Sequence, residues 1–176
     1  GANNFTLGAA TTVTGGSSSA MIVPESTGEL RKILGSNPAA TVFIFPIGDN
    51  IGTAEYSPAT VTFSGTGTAG GYMSIRLTDD IHPNNKNTNN YISRYWTVGQ
   101  SGYTSPTALV SATYVDADIV GTEANILMGR WTGATPWTSI ASSITTATNT
   151  LSTVSAGALG SFTGLNSANP TASISG

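Results

Sequence analysis

The sequence predicts an all-β fold, an antiparallel β-sandwich of Ig-like or jelly-roll-like character. Short runs rich in Thr, Val, Ile, Tyr, Phe and Trp alternate with clusters of Gly, Pro, Asn and Ser, which is the pattern of strands and turns. The strand-like runs recur at roughly 8–12-residue spacing, as in sandwiches and barrels. No helical apolar stripe is sustained along the chain.

Composition favours one folded domain whose polar surface is built from hydroxyl groups. The 176 residues include 28 Thr and 21 Ser, while charged residues make up 9% and the net charge is −3. Ordinary globular proteins carry about 25% charged residues. The 39% hydrophobic content is enough for a core. We predict a single β-sandwich domain over residues 1–164 and a linker or tail over residues 165–176, where periodicity is lost.

Several function classes lack the residues that they need. Six scattered basic residues give no electrostatic footprint for nucleic acid. No apolar run approaches the ~18–20 residues that span a bilayer. The absence of cysteine excludes disulfides and thiolate metal sites, and His82 is the one histidine. No basic segment followed by an apolar stretch is present, so we expect a mature chain or an excised piece.

Twelve strands are predicted from the apolar and β-branched runs. They are Asn4–Leu7, Ala20–Val23, Leu30–Leu34, Val42–Pro46, Ala59–Ser64, Tyr72–Thr78, Tyr91–Val98, Ala108–Tyr114, Ile126–Trp131, Thr138–Ser142, Thr150–Val154 and Ala158–Thr163. The glycine-rich stretch 65–71 reads as a turn, and the asparagine-rich stretch 79–90 as a solvated loop with nothing to bury.

Alternation gives the face of the best strands. Met73, Ile75 and Leu77 share one face of Tyr72–Thr78. In the strand Tyr91–Val98, Trp96 shares its face with Ile92, Val98 and Arg94, so Arg94 must reach an edge or a carboxylate. The run 42–45 is apolar on both faces and predicts a central strand that Pro46 ends. The expected core includes Trp96, Phe43, Phe45, Ile75 and Leu77.

The order of several segments resembles the β-sandwich modules of very large secreted surface proteins of Bacteroidetes-type bacteria, including gliding-motility and adhesin-like proteins associated with type IX secretion. The resemblance covers about residues 4–164. It departs after Phe162, where Thr163 and Gly164 stand in place of a second aromatic residue. It rests on Thr27–Arg31, Phe45–Gly48, Tyr56–Val61, Tyr91–Thr97, Tyr114–Asp118, Arg130–Gly133, Trp137–Thr138, Thr146–Thr150 and Gly160–Thr163.

The resemblance implies an extracellular, cell-surface location and a structural or adhesive role within a long multidomain chain. It implies no catalytic residue and no cofactor, because the recurring positions look like packing and turn positions.

Three sets of residues are candidates for chemistry. Asp116, Asp118 and Glu123 offer oxygen ligands for Ca²⁺, although a known calcium loop would need more acidic ligands; the alternative is that they are strand-end carboxylates. Asp79 and Asp80 are candidates to form an acid–base group with His82. Adjacent side chains of an extended segment point to opposite faces, however, so the two carboxylates would not converge. We therefore predict no metal site and no enzyme activity.

The aromatic residues are a separate candidate, for a platform that stacks on sugars, with core packing as the alternative. They are Tyr95, Tyr103, Trp131 and Trp137.

The leading functional prediction is a non-enzymatic structural or adhesive module of an extracellular bacterial surface protein or fibre. The alternatives are a carbohydrate- or surface-binding module and a subunit of a filament that exchanges terminal strands. Expected partners are like modules, along one chain or in neighbouring subunits, and surface glycans. Residues 1–24 carry short apolar pieces that can pair with their own sheet or with a neighbour's edge, and only Lys32 and Lys86 are available to blunt such edges.

Overall fold

The computed structural model describes residues 3–168 and confirms an all-β chain. Fourteen strands form one sheet of ten strands and two sheets of two strands. Three short 3₁₀ turns cover Asp116–Asp118, Glu123–Asn125 and Thr146–Thr148, so no helix in the described residues is long and apolar enough to cross a membrane. The strands are β1 Phe5–Leu7, β2 Leu30–Ile33, β3 Thr41–Phe45, β4 Gly48–Asp49, β5 Glu55–Tyr56, β6 Ala59–Thr78, β7 Tyr91–Ile92, β8 Tyr95–Thr113, β9 Ile119–Val120, β10 Ile126–Trp131, β11 Thr138–Ile140, β12 Ile144–Thr145, β13 Thr150–Ser152 and β14 Gly160–Asn166.

Two long strands organise the ten-stranded sheet. β6 has 20 residues and β8 has 19, and they pair antiparallel along most of their lengths. The first half of β6 pairs with β3, and its second half pairs with β2. The first half of β8 pairs with β14, and its second half pairs with β13. Each long strand therefore takes part in two groups of neighbours.

The glycine-rich stretch 65–71 lies within β6, so the prediction of a turn there is wrong. The register of β6 against β8 shifts twice across this stretch, which absorbs the irregularity without ending the strand. The glycines make room for the ring of Tyr103, because a Cβ on Gly67 or Gly71 would come within 2.8 Å of a ring atom. Glycine marks a close approach here, rather than a chain reversal.

Other strand predictions need correction. Ala20–Val23 is not a strand: it makes only isolated bridges, Ser17 with Ala20 and Ile22 with Ile47. The predicted strand Tyr91–Val98 is divided at Ser93 and Arg94 into β7 and the start of β8. Pairing is not antiparallel throughout, since β1 runs parallel to β2. β14 continues through Asn166, beyond the predicted strand end at Thr163 and the predicted domain end at 164; residues 169–176 of the predicted tail lie outside the described residues.

The predicted central strand 42–46 is an edge strand. β3 pairs only with β6, and its inward side chains Phe43 and Phe45 are buried. Val42 and Ile44 on its other face are 59% and 53% exposed. Apolar residues on both faces therefore do not mark a central position in this chain.

The core follows the predicted alternation. All five residues expected in it are buried: Phe43, Phe45, Ile75, Leu77 and Trp96. The buried face of β8 begins at Trp96 and continues through Val98, while the intervening positions are half-buried. Since Arg94 lies on the same face, the alternation also carries its side chain inward.

Candidate functional site

Arg94 is the centre of the densest group of charges in the described residues. It lies just before β8, and its side chain is 0% exposed. The Thr163 hydroxyl of β14 fixes the backbone here: its Oγ1 lies 2.6 Å from the carbonyl oxygen of Arg94 and 3.1 Å from that of Ile92. The guanidinium is therefore held inside the fold by the strand that positions it.

Four carboxylates from four separate segments surround this guanidinium. Asp49 of β4 places Oδ2 2.9 Å from Nη2, and Asp79, just after β6, places Oδ1 3.3 Å from the same nitrogen. Glu55 of β5 also accepts a hydrogen bond from Nη2. Asp118, at the end of a 3₁₀ turn, places Oδ2 3.1 Å from Nε. We call Arg94 and these four acids the arginine cluster.

The cluster holds more negative charge than one guanidinium can balance. Nη2 carries two hydrogens but lies beside three carboxylates, and Oδ2 of Asp49 is buried without a hydrogen bond. Burial raises the pKa of Asp118 to about 6, although Arg94 and the backbone N–H of Val115 oppose this. Burial likewise raises the pKa of Asp49, against the attraction of Arg94. The cluster is therefore poised to take up a proton in mildly acidic solution.

The cluster borders an open cavity of about 470 Å³. Asp49 and Asp79 belong to both, and Asp80 adds a further carboxylate to the cavity wall. Apolar side chains such as Val23 and Leu77 and polar ones such as Asn50 and Thr78 also line it. The acidic wall suits cations and disfavours anions.

Asp49, Glu55 and Asp79 form the one carboxylate group in the described residues with metal-like spacing, their ligand atoms lying within 4.8 Å of one another. Nη2 of Arg94 contacts all three carboxylates, so it occupies the position that a shared metal ion would take. A guanidinium nitrogen and a metal ion cannot occupy the same position. Arg94 is therefore the resident cation of this group.

The predicted calcium ligands do not gather into one site. Asp118 faces Arg94, whereas Asp116 accepts a hydrogen bond from Nδ2 of Asn149 at 2.6 Å. Glu123 accepts one from the hydroxyl of Tyr114, also at 2.6 Å. Each acid thus has its own protein partner.

We expect chelator and calcium to leave the melting temperature unchanged. Because Nη2 of Arg94 already lies between the carboxylates of the only group in residues 3–168 with metal-like spacing, Ca²⁺ has no open position to enter. Thermal unfolding should be followed in EDTA and in millimolar CaCl₂ at constant ionic strength, with MgCl₂ as the control. A rise specific to Ca²⁺ that disappears in Asp79→Asn would contradict this assignment.

A second expectation concerns pH. The pKa of Asp118 is raised to about 6 in the folded protein, so its contribution to stability is greatest at low pH and is lost as the pH rises through 6. Relative to Asp118→Asn, the wild type should gain thermal stability between pH 7.5 and pH 5. The comparison with Asp118→Asn is needed because burial lowers the pKa of His82, which acts in the opposite direction. A difference in melting temperature that stays constant across this range would refute the expectation.

His82 does not join Asp79 and Asp80 in an acid–base group. Asp79 faces Arg94, and Asp80 accepts a hydrogen bond from the next N–H, that of Ile81, at 2.7 Å. His82 is buried, and its Nδ1 accepts a hydrogen bond from the N–H of Asn84 at 3.2 Å. The stretch 79–90 is therefore anchored by buried side chains, His82 and Asn85, which corrects the prediction of a loop with nothing to bury.

Three of the four aromatic candidates gather around His82. Its ring centre lies 4.7 Å from that of Tyr95, 4.9 Å from that of Trp137 and 6.1 Å from that of Trp131. Trp137 is buried and donates its indole N–H to the carbonyl oxygen of Asn84, so it is a packing residue. Tyr103 packs elsewhere, against Phe63. Only Tyr95 and Trp131, both half-buried, keep part of a ring at the surface.

Sequence reasoning missed Asp49 and Glu55. Both lie in strands of two residues, which are too short to show any alternation. The sequence signal was Arg94 on an apolar face, which predicts that its side chain reaches either an edge or a carboxylate and does not identify the partner.

The comparisons with known proteins give no relative. No family model matches the chain, and neither a curated protein nor a solved structure is significantly similar to it.

Proposed function

We propose that this chain is a non-enzymatic structural or adhesive module of an extracellular bacterial surface protein or fibre. The observation that carries the proposal is the arginine cluster. Its four carboxylates all face Arg94. They therefore connect β4, β5, the end of β6 and the 116–118 turn to the start of β8. The largest concentration of charge in the described residues thus holds the fold together.

The architecture that we propose is a β-sandwich, Ig-like or jelly-roll-like. Support comes from β6 and β8, which exchange neighbours halfway along their lengths. Inward-facing residues of both halves, such as Val61 and Ile75 of β6, are buried in one continuous core. Two halves of a long hairpin that fold toward a shared core make two facing layers.

The location and role can be tested by electron microscopy of the native assembly. An antibody raised against this chain should label the outer surface of intact cells, and gold particles should mark repeating units of the purified fibre. Permeabilised cells serve as the control for access. Label that appears only after permeabilisation would refute the proposal.

A carbohydrate- or surface-binding module is the second candidate, favoured by Tyr95 and Trp131. Their half-exposed rings lie beside the buried pair His82 and Trp137, which would hold them rigid for stacking on a sugar. A glycan array should then give binding that Trp131→Ala abolishes and that Phe5→Ala, a change at an exposed ring far along the sheet order, preserves. Equal binding by both variants would exclude these rings.

A filament subunit with terminal-strand exchange is the third candidate, since β1 is a terminal strand of three residues at the end of the sheet order. Lys32 opposes exchange: its Nζ donates to the carbonyl oxygens of Gly8, Ala9 and Thr11 at 2.6–2.8 Å and so fastens the segment after β1. Sedimentation of the chain with and without residues 1–24 tests this candidate. A monomer of unchanged stability in both forms would refute it.

A further inference from the structure

The edge strand β3 is the longest open edge among the described strands. It has five residues, whereas the other edges, β1, β11 and β12, have two or three. Within residues 3–168, the backbone of 41–44 makes no hydrogen bond to other backbone groups apart from those of its ladder with β6. One side of β3 therefore presents free N–H and C=O groups.

Nothing on β3 protects this edge from pairing with another strand. Proteins usually blunt an open edge with lysine, proline or a bulge, or cover it. β3 contains no charged residue and no proline, and its register against β6 is regular. Neither lysine is on the exposed side of this edge: Lys32 is buried, with Nζ 5.2 Å from the ring centre of Phe43 on the inner face, and Lys86 donates to the carbonyl oxygen of Pro83.

The sheet positions around β3, which are 59–63 of β6 and 108–112 of β8, hold no charged residue. Residues 33–48, 56–75, 95–115 and 131–176 contain no Asp, Glu, Lys or Arg. On the outer face, Val42 pairs with Thr62 and Ile44 with Thr60 on β6. Beyond them on β8 lie Leu109 and Ser111. The outer face of these strands is therefore built from hydroxyl and apolar side chains.

This charge distribution indicates the occupant. A charged partner gains nothing from a neutral face, whereas two copies of an acidic chain repel each other everywhere except where charge is absent. Like copies also bring the same row of apolar side chains, Val42 and Ile44, which are exposed in the single chain. A groove of about 230 Å³ between β3 and Val13 leaves room for the incoming side chains.

We propose that β3 is a self-association edge, at which β3 of a second copy pairs antiparallel to it. Such a contact is two-fold symmetric and joins two sheets into one. Centred on Phe43, the middle residue of the strand, it places Val42 of each copy opposite Ile44 of the other. The inference rests on the proposed structural function and names the edge by which like modules meet.

Sedimentation velocity over a range of concentrations tests this edge. The wild type should form dimers, and Ile44→Lys should raise the dimer dissociation constant at least about tenfold, because the contact would then contain two buried ammonium groups. Ile51→Lys is the matched control, since Ile51 is 66% exposed but lies outside the strands. A wild type that stays monomeric at every concentration, or an Ile44→Lys chain that dimerises like the wild type, would overturn the proposal.

Disulfide trapping tests the register, because the chain has no cysteine of its own. A mixture of Val42→Cys and Ile44→Cys chains should cross-link faster than either chain alone or either chain mixed with Ile51→Cys. Equal rates in all mixtures would overturn the pairing. Failure of these experiments leaves the surface-labelling test standing, so the edge and the structural role can fail separately.

Discussion

Arg94→Met is expected to lower the free energy of unfolding by about 3–5 kcal/mol at pH 7.5, the usual cost of removing one partner of a buried ion pair. Methionine has a similar length and fills much of the space, so the loss reports mainly on charge. Without the guanidinium, Asp49 and Asp118 are left buried with no cation. Urea denaturation followed by tryptophan fluorescence measures the change.

Two comparisons show that this loss belongs to the cluster. Arg31→Met is the matched control, because Arg31 pairs with Glu29 near the surface at 2.9 Å, and such exposed pairs contribute about 0–1 kcal/mol. The Arg94→Met chain should also recover part of its stability at pH 5, where protonation relieves the unpaired carboxylates. A loss below about 1 kcal/mol at pH 7.5 would show that the four acids do not need Arg94.

The sequence predicted the parts of this site that depend on alternation and missed those that depend on topology. Arg94 shares the buried face with Trp96, and from that alone it was expected to reach an edge or a carboxylate; the structure shows carboxylates. Which carboxylate depends on how β4 and β5 fold over the start of β8, a matter of contacts about 40 residues apart in sequence. Strands of two residues leave no periodic trace in sequence, so Asp49 and Glu55 were not identified.

The same limit explains the errors in the fold. Phe43 and Phe45 face the core as expected, yet Val42 and Ile44 are equally apolar and lie in solvent. Hydropathy reports the preference of a side chain, whereas the position of a strand within a sheet depends on its neighbours. The glycines at 65–71 were read as a turn because local chemistry cannot distinguish a chain reversal from room for the ring of Tyr103.

The arginine cluster and the neutral edge are two consequences of one charge distribution. Five of the fifteen charged residues meet at Arg94, where burial and pairing hold them in place. β3 and the segments beside it in the sheet, 59–63 of β6 and 108–112 of β8, carry none of the remaining ten. The chain thus uses charge to fix its own segments and leaves the face around β3 to hydroxyl and apolar groups, which suits contacts between like modules.

Trp96→Ala is expected to lower the free energy of unfolding by about 3–5 kcal/mol, as large-to-small changes in a packed core do. Trp96 is 0% exposed and pairs with Leu77 of β6 on one side and Phe162 of β14 on the other. Its removal leaves a cavity between the strands that organise the sheet. Its indole N–H also donates to the carbonyl oxygen of Ser57 at 3.1 Å, so this acceptor would lose its partner.

Two variants separate packing from hydrogen bonding at this position. Trp96→Phe keeps most of the apolar volume and should cost less, about 1–3 kcal/mol, mainly for the unpaired carbonyl group. Trp131→Ala removes a half-buried indole on β10 and should cost less than Trp96→Ala because less apolar area is exposed to water.

Ser57 also accepts a hydrogen bond from Nη1 of Arg94, so Trp96 and Arg94 share a partner. The losses of stability in Trp96→Ala and Arg94→Met should therefore not be additive in the double variant. Urea denaturation of all three tryptophan variants, read by circular dichroism, decides the matter: a Trp96→Ala loss below about 1 kcal/mol would contradict the position of β8 at the centre of the sheet.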